Sequence, residues 1–189
     1  MAACYVCFQQ AEPGEGRAED VGWAAAALGE DVSVVSAVTP AAYEPGLLAL
    51  REGPLLEAAV RGLSERPDVL LVDATGRDHP RRAGLALQLG AVLDLPTVGV
   101  TDRPLLARGE APAEARGSAS PLLLDGERVG YLVRTRTRAR PIAVHAAWRT
   151  MPETAVEVVL AATAGMRTPE PLRMARAAAR RARAAERRR

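Results

Sequence analysis

A carboxylate at the end of a buried strand is the residue of this chain with the most evident chemistry. Residues 69–72 are a short apolar run of Val and Leu after Pro67-Asp68, the pattern of a fully buried strand, and Asp73 stands at its C-terminal edge, where the strand meets solvent. Carboxylates so placed commonly hold divalent metal ions. Downstream, His79-Pro80-Arg81-Arg82 combines an imidazole, a rigid ring and two fixed cations; His79-Pro80 also reads as a helix start with Pro in the first turn. Upstream, a rigid Pro45-Gly46 turn with Tyr43 beside it leads to a second carboxylate, Glu52.

With their neighbours these residues form four ordered strings: YEPGLLALREGP (43–54), VDATGRDHPRRAGLALQLG (72–90), TVGVTD (97–102) and TPEPLR (168–173). Together they resemble the endonuclease V family, in the family's order and over nearly the whole chain. The resemblance implies an α/β, RNase H-like fold with a central mixed sheet flanked by helices. It also implies a metal-dependent endonuclease, with Mg²⁺ or Mn²⁺ as cofactor, that cuts DNA or RNA near deaminated bases, inosine above all. Carried over position by position, Glu52 and Asp73 are the metal-holding and catalytic residues, with His79 as a supporting group.

The same resemblance assigns a recognition apparatus. Tyr43, Pro45 and Gly46 match a wedge that separates strands at a lesion, with Glu44 in place of an apolar wedge residue, where a charge disfavours insertion into a base stack. Gly46, Leu48, Ala74, His79, Leu85, Gly99 and Leu105 match a pocket that accepts an extruded base. Ala74 stands where the family has Gly, and its methyl crowds the approach of a flipped base. Turn geometry explains Gly46 and Gly76 equally well, and core packing explains the leucines.

Three positions of the family's chemistry also depart from its pattern. Tyr5 stands where the first strand carries a metal-binding Asp, Asp102 where the family has Lys, and Trp148, in PIAVHAAW (141–148), where it has His. A Tyr phenol, neutral at physiological pH with a pKa of about 10, is a poor Mg²⁺ ligand. The preferred reading is therefore a catalytically impaired or inactive relative. Two alternatives stay open: an active endonuclease V that uses Glu52 and Asp73 with Asp102 as a relocated carboxylate, and a non-catalytic module that binds nucleic acid or protein. His145 is a lone histidine beside an apolar strand, a setting more often structural than ligating.

The 189 residues, 48% of them hydrophobic, fit a single domain spanning 1–189 with a sizeable core. There is no lysine beside 25 arginines. The net charge of +2 conceals an asymmetry: residues 167–189 hold nine arginines against Glu170 and Glu186, or +7, and residues 1–166 carry −5. A basic helix or tail over about 171–189, with Arg180, Arg181 and Arg183, reads either as a phosphate grip or as a solvated face, and its last residues, 186–189, as frayed. No segment is apolar for the roughly 18 residues that a membrane span needs, and the first residues do not read as a basic region followed by an apolar signal core. The expectation is a monomeric cytoplasmic protein with DNA or RNA as partner and no membrane contact. Cys4 and Cys7 fall three apart on a strand, so their thiols face opposite sides and read as buried structural residues.

The elements that must position these groups follow from periodicity. Segments 3–8, 22–28 and 32–38 read as strands, with 12–19 a polar connection, and 50–64 as a helix carrying Glu52 in its first turn. Then come the strand ending in Asp73, a helix over 81–93, a strand over 97–100 and a hairpin over 121–133 around Asp125-Gly126. Two helices, 152–164 and 171–185, close the chain. In such a fold the first and fourth strands lie side by side, which brings Tyr5 against Asp73.

Overall fold

The computed structural model describes residues 1–9 and 16–186; the expected connection at 12–19 and the tail end at 186–189 fall partly outside the described residues. Eight strands form one mixed sheet: β1 (Ala2–Phe8), β2 (Val21–Leu28), β3 (Asp31–Val38), β4 (Leu70–Val72), β5 (Thr97–Thr101), β6 (Ala119–Leu124), β7 (Glu127–Val133) and β8 (Ile142–Ala146). Their order is β3-β2-β1-β4-β5-β8-β7-β6. The central pairs β1–β4 and β4–β5 are parallel and the rest antiparallel. The middle strands are covered on both faces, which is why the 69–72 run is apolar without alternation.

Among the described residues four helices cover the sheet: α1 (Leu48–Arg61), α2 (Leu85–Leu93), α3 (Pro152–Ala161) and α4 (Glu170–Glu186). Leu55, Leu56, Ala59 and Val60 of α1 and Leu85, Ala86 and Leu89 of α2 pack with Cys4, Ala24 and Val72 on one face. Ala155 and Val159 of α3 and Leu172 of α4 pack with Ala3, Leu71 and Val98 on the other. Further along α4, Ala178 and Ala179 meet Cys7, Trp23 and Ala25. Cys4 and Cys7 thus lie on opposite faces, both free and buried. No helix of the described residues is long and apolar enough to cross a membrane.

Two expectations change. The helix expected over 81–93 begins only at Leu85, because Arg82 takes a left-handed φ of 54° and Gly84 is the N-cap. Residues 79–84 are a turn, in which the Arg82 N–H donates to the His79 carbonyl at 2.9 Å, so His79-Pro80 does not start a helix. A side chain at Gly84 would meet the Thr75 carbonyl oxygen at 2.4 Å, which fixes glycine there. Residues 142–146 form an additional strand, β8, not assigned from periodicity. The Asp125-Gly126 hairpin turn forms as expected, with φ of 52° and 80°, the signature of a tight primed turn. Pro121 sits on the edge strand β6, where a missing N–H is tolerated.

Candidate active site and base pocket

Parallel pairing of β1 and β4 sets Cys4 opposite Val72, so the next residues, Tyr5 and Asp73, emerge together at one end of the sheet. Strand alternation turns both toward α4: Tyr5 packs with Ala178 and Ala179's cluster, whereas Cys4 faces α1. The buried stripe of α4 is Leu172, Ala175, Ala178 and Ala179, small enough to seat the helix close to β1, and arginines at helical spacing flank it. Arg176 donates from Nε (3.0 Å) and Nη2 (2.8 Å) to the same oxygen of Asp73, Oδ2. Arg176 and Arg180 stand over the Tyr5 ring at 5.7 and 5.6 Å, cation–π distances, and Arg180 Nη2 lies 3.5 Å from the Tyr5 hydroxyl. Arg183 caps the Phe8 carbonyl at 2.9 Å. Burial pushes the Asp73 carboxyl up, and the Arg176 guanidinium opposes that rise.

Glu52 comes from α1 on the other face, in its second turn rather than the expected first, because the helix begins already at Leu48. Burial lifts its carboxyl to about 7, the Arg51 charge opposing and that of Asp73 adding to the rise. Arg51, beside it, went unremarked in the sequence and is the centre of a buried knot. Its Nη1 donates to the carbonyl of Ala41 (3.0 Å), to Thr39 Oγ1 (3.2 Å) and to the Arg17 carbonyl, and its Nη2 to Asp20 Oδ2 at 2.7 Å. The guanidinium also stacks on Phe8 at 4.4 Å. Its partners come from 17–20 and 39–41, so no local pattern marks it. The hydrogen bond from Arg51 holds the Asp20 carboxyl below its ordinary value.

A cavity of about 300 Å³ opens beside Asp73. It is lined by Tyr43, Glu44, Pro45, Gly46, Leu48, Asp73, Ala74, His79, Leu85 and Leu105, together with Thr75, Gln88 and Thr101. Tyr43 and Leu105 are exposed at its rim, and Gly46 takes a φ of 80° that a side chain resists. His79 is buried; its Nδ1 accepts the Arg81 N–H at 3.2 Å, which leaves the proton of the neutral ring on Nε2. Burial and the nearby Arg81 charge lower its pKa, so the ring is neutral at pH 7. Arg81 Nη1 in turn donates to the Gly46 carbonyl at 3.0 Å, tying the rim to the 79–84 turn.

Behind the pocket lies a second polar cluster that sequence reading missed. Asp78, fully buried, accepts the N–H groups of Leu105 (2.7 Å), Leu106 (2.8 Å) and Ala107 (2.8 Å). His145, also fully buried, shares 2.8 Å between Nε2 and Thr101 Oγ1 and places Nδ1 3.8 Å from Asp78 Oδ2. Nothing in the sequence around Asp78 marks it as buried; only the fold does so. Burial holds the His145 ring down to about 4, against the pull of the Asp78 charge.

That shift has a sign that experiment can read. The unfolded chain protonates His145 near its ordinary 6.5, whereas the folded chain resists until about 4, so stability is lost as pH falls through that window. The contribution is about 3 kcal/mol. Glu52 acts oppositely, since its raised value loses stability as pH rises from 4.5 toward 7. The readout is therefore a difference: urea denaturation of the native chain and His145→Gln between pH 4 and 7 should converge by about 3 kcal/mol at the acid end, and parallel curves would reject a neutral buried His145.

A family model, Endonuclease V, matches residues 11–177. The chain belongs to the endonuclease V family. Endonuclease V of Gloeobacter violaceus is 47% identical over 146 residues, 77% of this chain and 59% of that protein. The chain spans about three fifths of the length of the curated relatives it matches, 59% and 62% for the first two. The crystal structure of endonuclease V from Streptomyces avermitilis is 34% identical, with a TM-score of 0.85 over 96% of this chain and 80% of that one. Ciona intestinalis endonuclease V, solved with a 23mer DNA containing an inosine followed by a ribo-adenosine, shares the fold at 23% identity, with a TM-score of 0.73 over 96% of this chain and 83% of that one. The fold is α/β and RNase H-like, as expected. Strand β1, with Tyr5, precedes the residues matched by the endonuclease V model.

Endonuclease V is in general metal-dependent, and the residues at this sheet end do not fit a divalent ion. Asp73 Oδ2 is engaged twice by Arg176, Tyr5 offers a ring under two guanidiniums, and no group of three or more His, Cys, Asp or Glu side chains converges among the described residues. Asp102, the relocated carboxylate of the active reading, pairs with Arg167 at 2.8 Å, which holds its carboxyl below the ordinary range. Trp148 is not at this site at all. Strand β8 runs antiparallel to β5, with Ala143 opposite Thr101 and Ala146 opposite Val98, so the chain leaves the Asp73 end as it approaches Trp148. There Trp148 exchanges hydrogen bonds with Thr97, N–H to Oγ1 at 3.1 Å and carbonyl from N–H at 3.0 Å. Gly99 does not line the cavity either. A side chain on it would meet the Ala74 carbonyl oxygen at 2.4 Å, so it lets the turn after β4 lie on β5.

Proposed function

We propose that this chain is an endonuclease V relative that binds DNA or RNA carrying a deaminated base, inosine above all, and has lost metal-dependent cleavage. One observation carries the reading: the base-pocket positions gather around one cavity of about 300 Å³, while the carboxylate at its edge, Asp73, is committed to Arg176. The pocket supports recognition, because His79 stands beside apolar Leu48, Leu85 and Ala74 in a cavity of a size to take a flipped base. The committed carboxylate supports loss of chemistry. Phosphodiester hydrolysis of this class needs an ion to generate the nucleophile and neutralise developing charge.

Strand cleavage of an inosine-containing oligonucleotide with Mg²⁺ or Mn²⁺, run beside a binding measurement, tests this. The expected result is inosine-selective binding with no cut product. Cleavage that Glu52→Ala/Asp73→Ala abolishes would establish an active nuclease instead, and loss of binding as well as cleavage would leave a repurposed fold.

A further inference from the structure

We infer that the Arg176 guanidinium takes the place of a divalent ion at Asp73 and, with Arg180, forms a metal-free site for a phosphate of the bound strand. The phosphate half rests on the nucleic-acid reading above; the metal half does not.

Charge comes first. Two unpartnered carboxylates repel a phosphate and need an intervening cation; here Asp73 faces two guanidiniums, Arg176 and Arg180, which leaves one positive charge among these three groups, and Glu52, its carboxyl raised to about 7 by burial, offsets that charge only in part. Asp102 does not cancel it, because Arg167 already pairs with that carboxylate at 2.8 Å. Position comes second. Arg176 and Asp73 side chains are 25% and 23% exposed, so the pair reaches solvent, and Arg180 is exposed.

Tyr5 supplies the third element. Its ring lies under both guanidiniums, at 5.7 and 5.6 Å, which holds two long side chains in place before any ligand arrives. A pre-formed pair of planar N–H forks matches phosphate oxygens bidentately. Asp73 itself lines the cavity, so a nucleotide with its base there brings its phosphate to the arginines. The aromatic residue that removes a metal ligand from β1 is thus the platform for the cations that substitute for the metal.

Titration with Mn²⁺, followed by the loss of the free-ion electron paramagnetic resonance signal, tests the first half without nucleic acid. The native chain should bind no Mn²⁺ at about 1 mM, the weak end of oxygen-ligand sites. Arg176→Gln, which frees Asp73, should acquire binding that Asp73→Asn removes. Mn²⁺ binding by the native chain that Asp73→Asn abolishes overturns the inference, as does equal silence in a folded Arg176→Gln.

The second half is read by the affinity for an inosine-containing oligonucleotide in EDTA and in Mg²⁺, which should agree. Arg180→Gln keeps the Asp73–Arg176 pair and remains interpretable if Arg176→Gln fails to fold; it should weaken binding roughly tenfold and lower the slope of log affinity against log salt by about 1. Affinity that requires Mg²⁺, or an unchanged salt slope in both variants, overturns the phosphate site. Absence of all oligonucleotide binding would instead refute the proposed function and leave the Mn²⁺ result standing.

Discussion

Replacing Asp78 by Ala should destabilise this chain by about 3–5 kcal/mol, among the largest effects available from one side chain. The carboxylate is fully buried and accepts three backbone N–H groups, at 2.7, 2.8 and 2.8 Å, from Leu105, Leu106 and Ala107. Hydrogen bonds to a charged acceptor contribute about 1.5–3 kcal/mol each, and donors stranded away from water cost their full desolvation. The segment carrying them begins at the pocket rim, so Leu105 should lose its position as the protein loses stability. Urea denaturation measures the first effect and amide hydrogen exchange at 105–107 the second. Asp78→Asn keeps an acceptor but no charge and should cost about half as much. A loss below about 1 kcal/mol for Asp78→Ala, with exchange unchanged, would show that these donors find other partners.

Arg51→Ala should cost about 3 kcal/mol for a related reason. Removing the guanidinium takes a donor from the Ala41 carbonyl and from the Asp20 carboxylate, leaves the Thr39 hydroxyl bonded to the Arg17 carbonyl without the cation that braces both, and takes the charge off Phe8. Arg51→Lys is not a conservative change here, since one ammonium cannot span the acceptors that the planar fork reaches, and it should recover only part of the loss. The 39–43 segment that Arg51 anchors leads directly into the rim residues Tyr43 and Glu44, so recognition should weaken with stability. Two measurements check this: denaturation of both variants, and the Asp20 carboxyl titration by nuclear magnetic resonance. Asp20 should return upward toward its ordinary value once Arg51 is gone. An unmoved Asp20 would dissociate it from Arg51.

Much of the site was legible in the chain because it depends on local pattern. The apolar run 69–72 had to end in an emergent carboxylate, and Asp73 does emerge at a sheet end. Parallel pairing of the first and fourth strands placed Tyr5 beside it as expected. Tyr43, Pro45, Gly46, Leu48, Ala74, His79, Leu85 and Leu105, singled out through the family resemblance, all line one cavity. The Asp125-Gly126 hairpin formed for the reason its dipeptide gives, two residues able to hold positive φ.

What failed were inferences that treated neighbours in a motif as neighbours in space. Trp148 was grouped with Tyr5 and Asp102 because a string resembled one that carries a site residue, yet β8 runs the other way and delivers it to Thr97. Gly99 was assigned to the pocket and instead serves the close approach of the Ala74 carbonyl. The helix expected from Arg81 lost its first turn to a left-handed Arg82, a conformation that propensity does not foresee.

The sequence by itself determined most of the strand and helix periodicities and the family, because each is a matter of residue type and short-range spacing. Only the tertiary structure decided which charges meet. Arg176 lies 103 positions from Asp73 and reaches it because the alanine stripe of α4 seats that helix against β1. Asp78 and Arg51 carry no sequence mark of burial and are buried because three backbone donors and four acceptors from distant segments close around them. The energy of a charge depends on its partners and its exposure to water, and both are set by packing rather than by sequence neighbours.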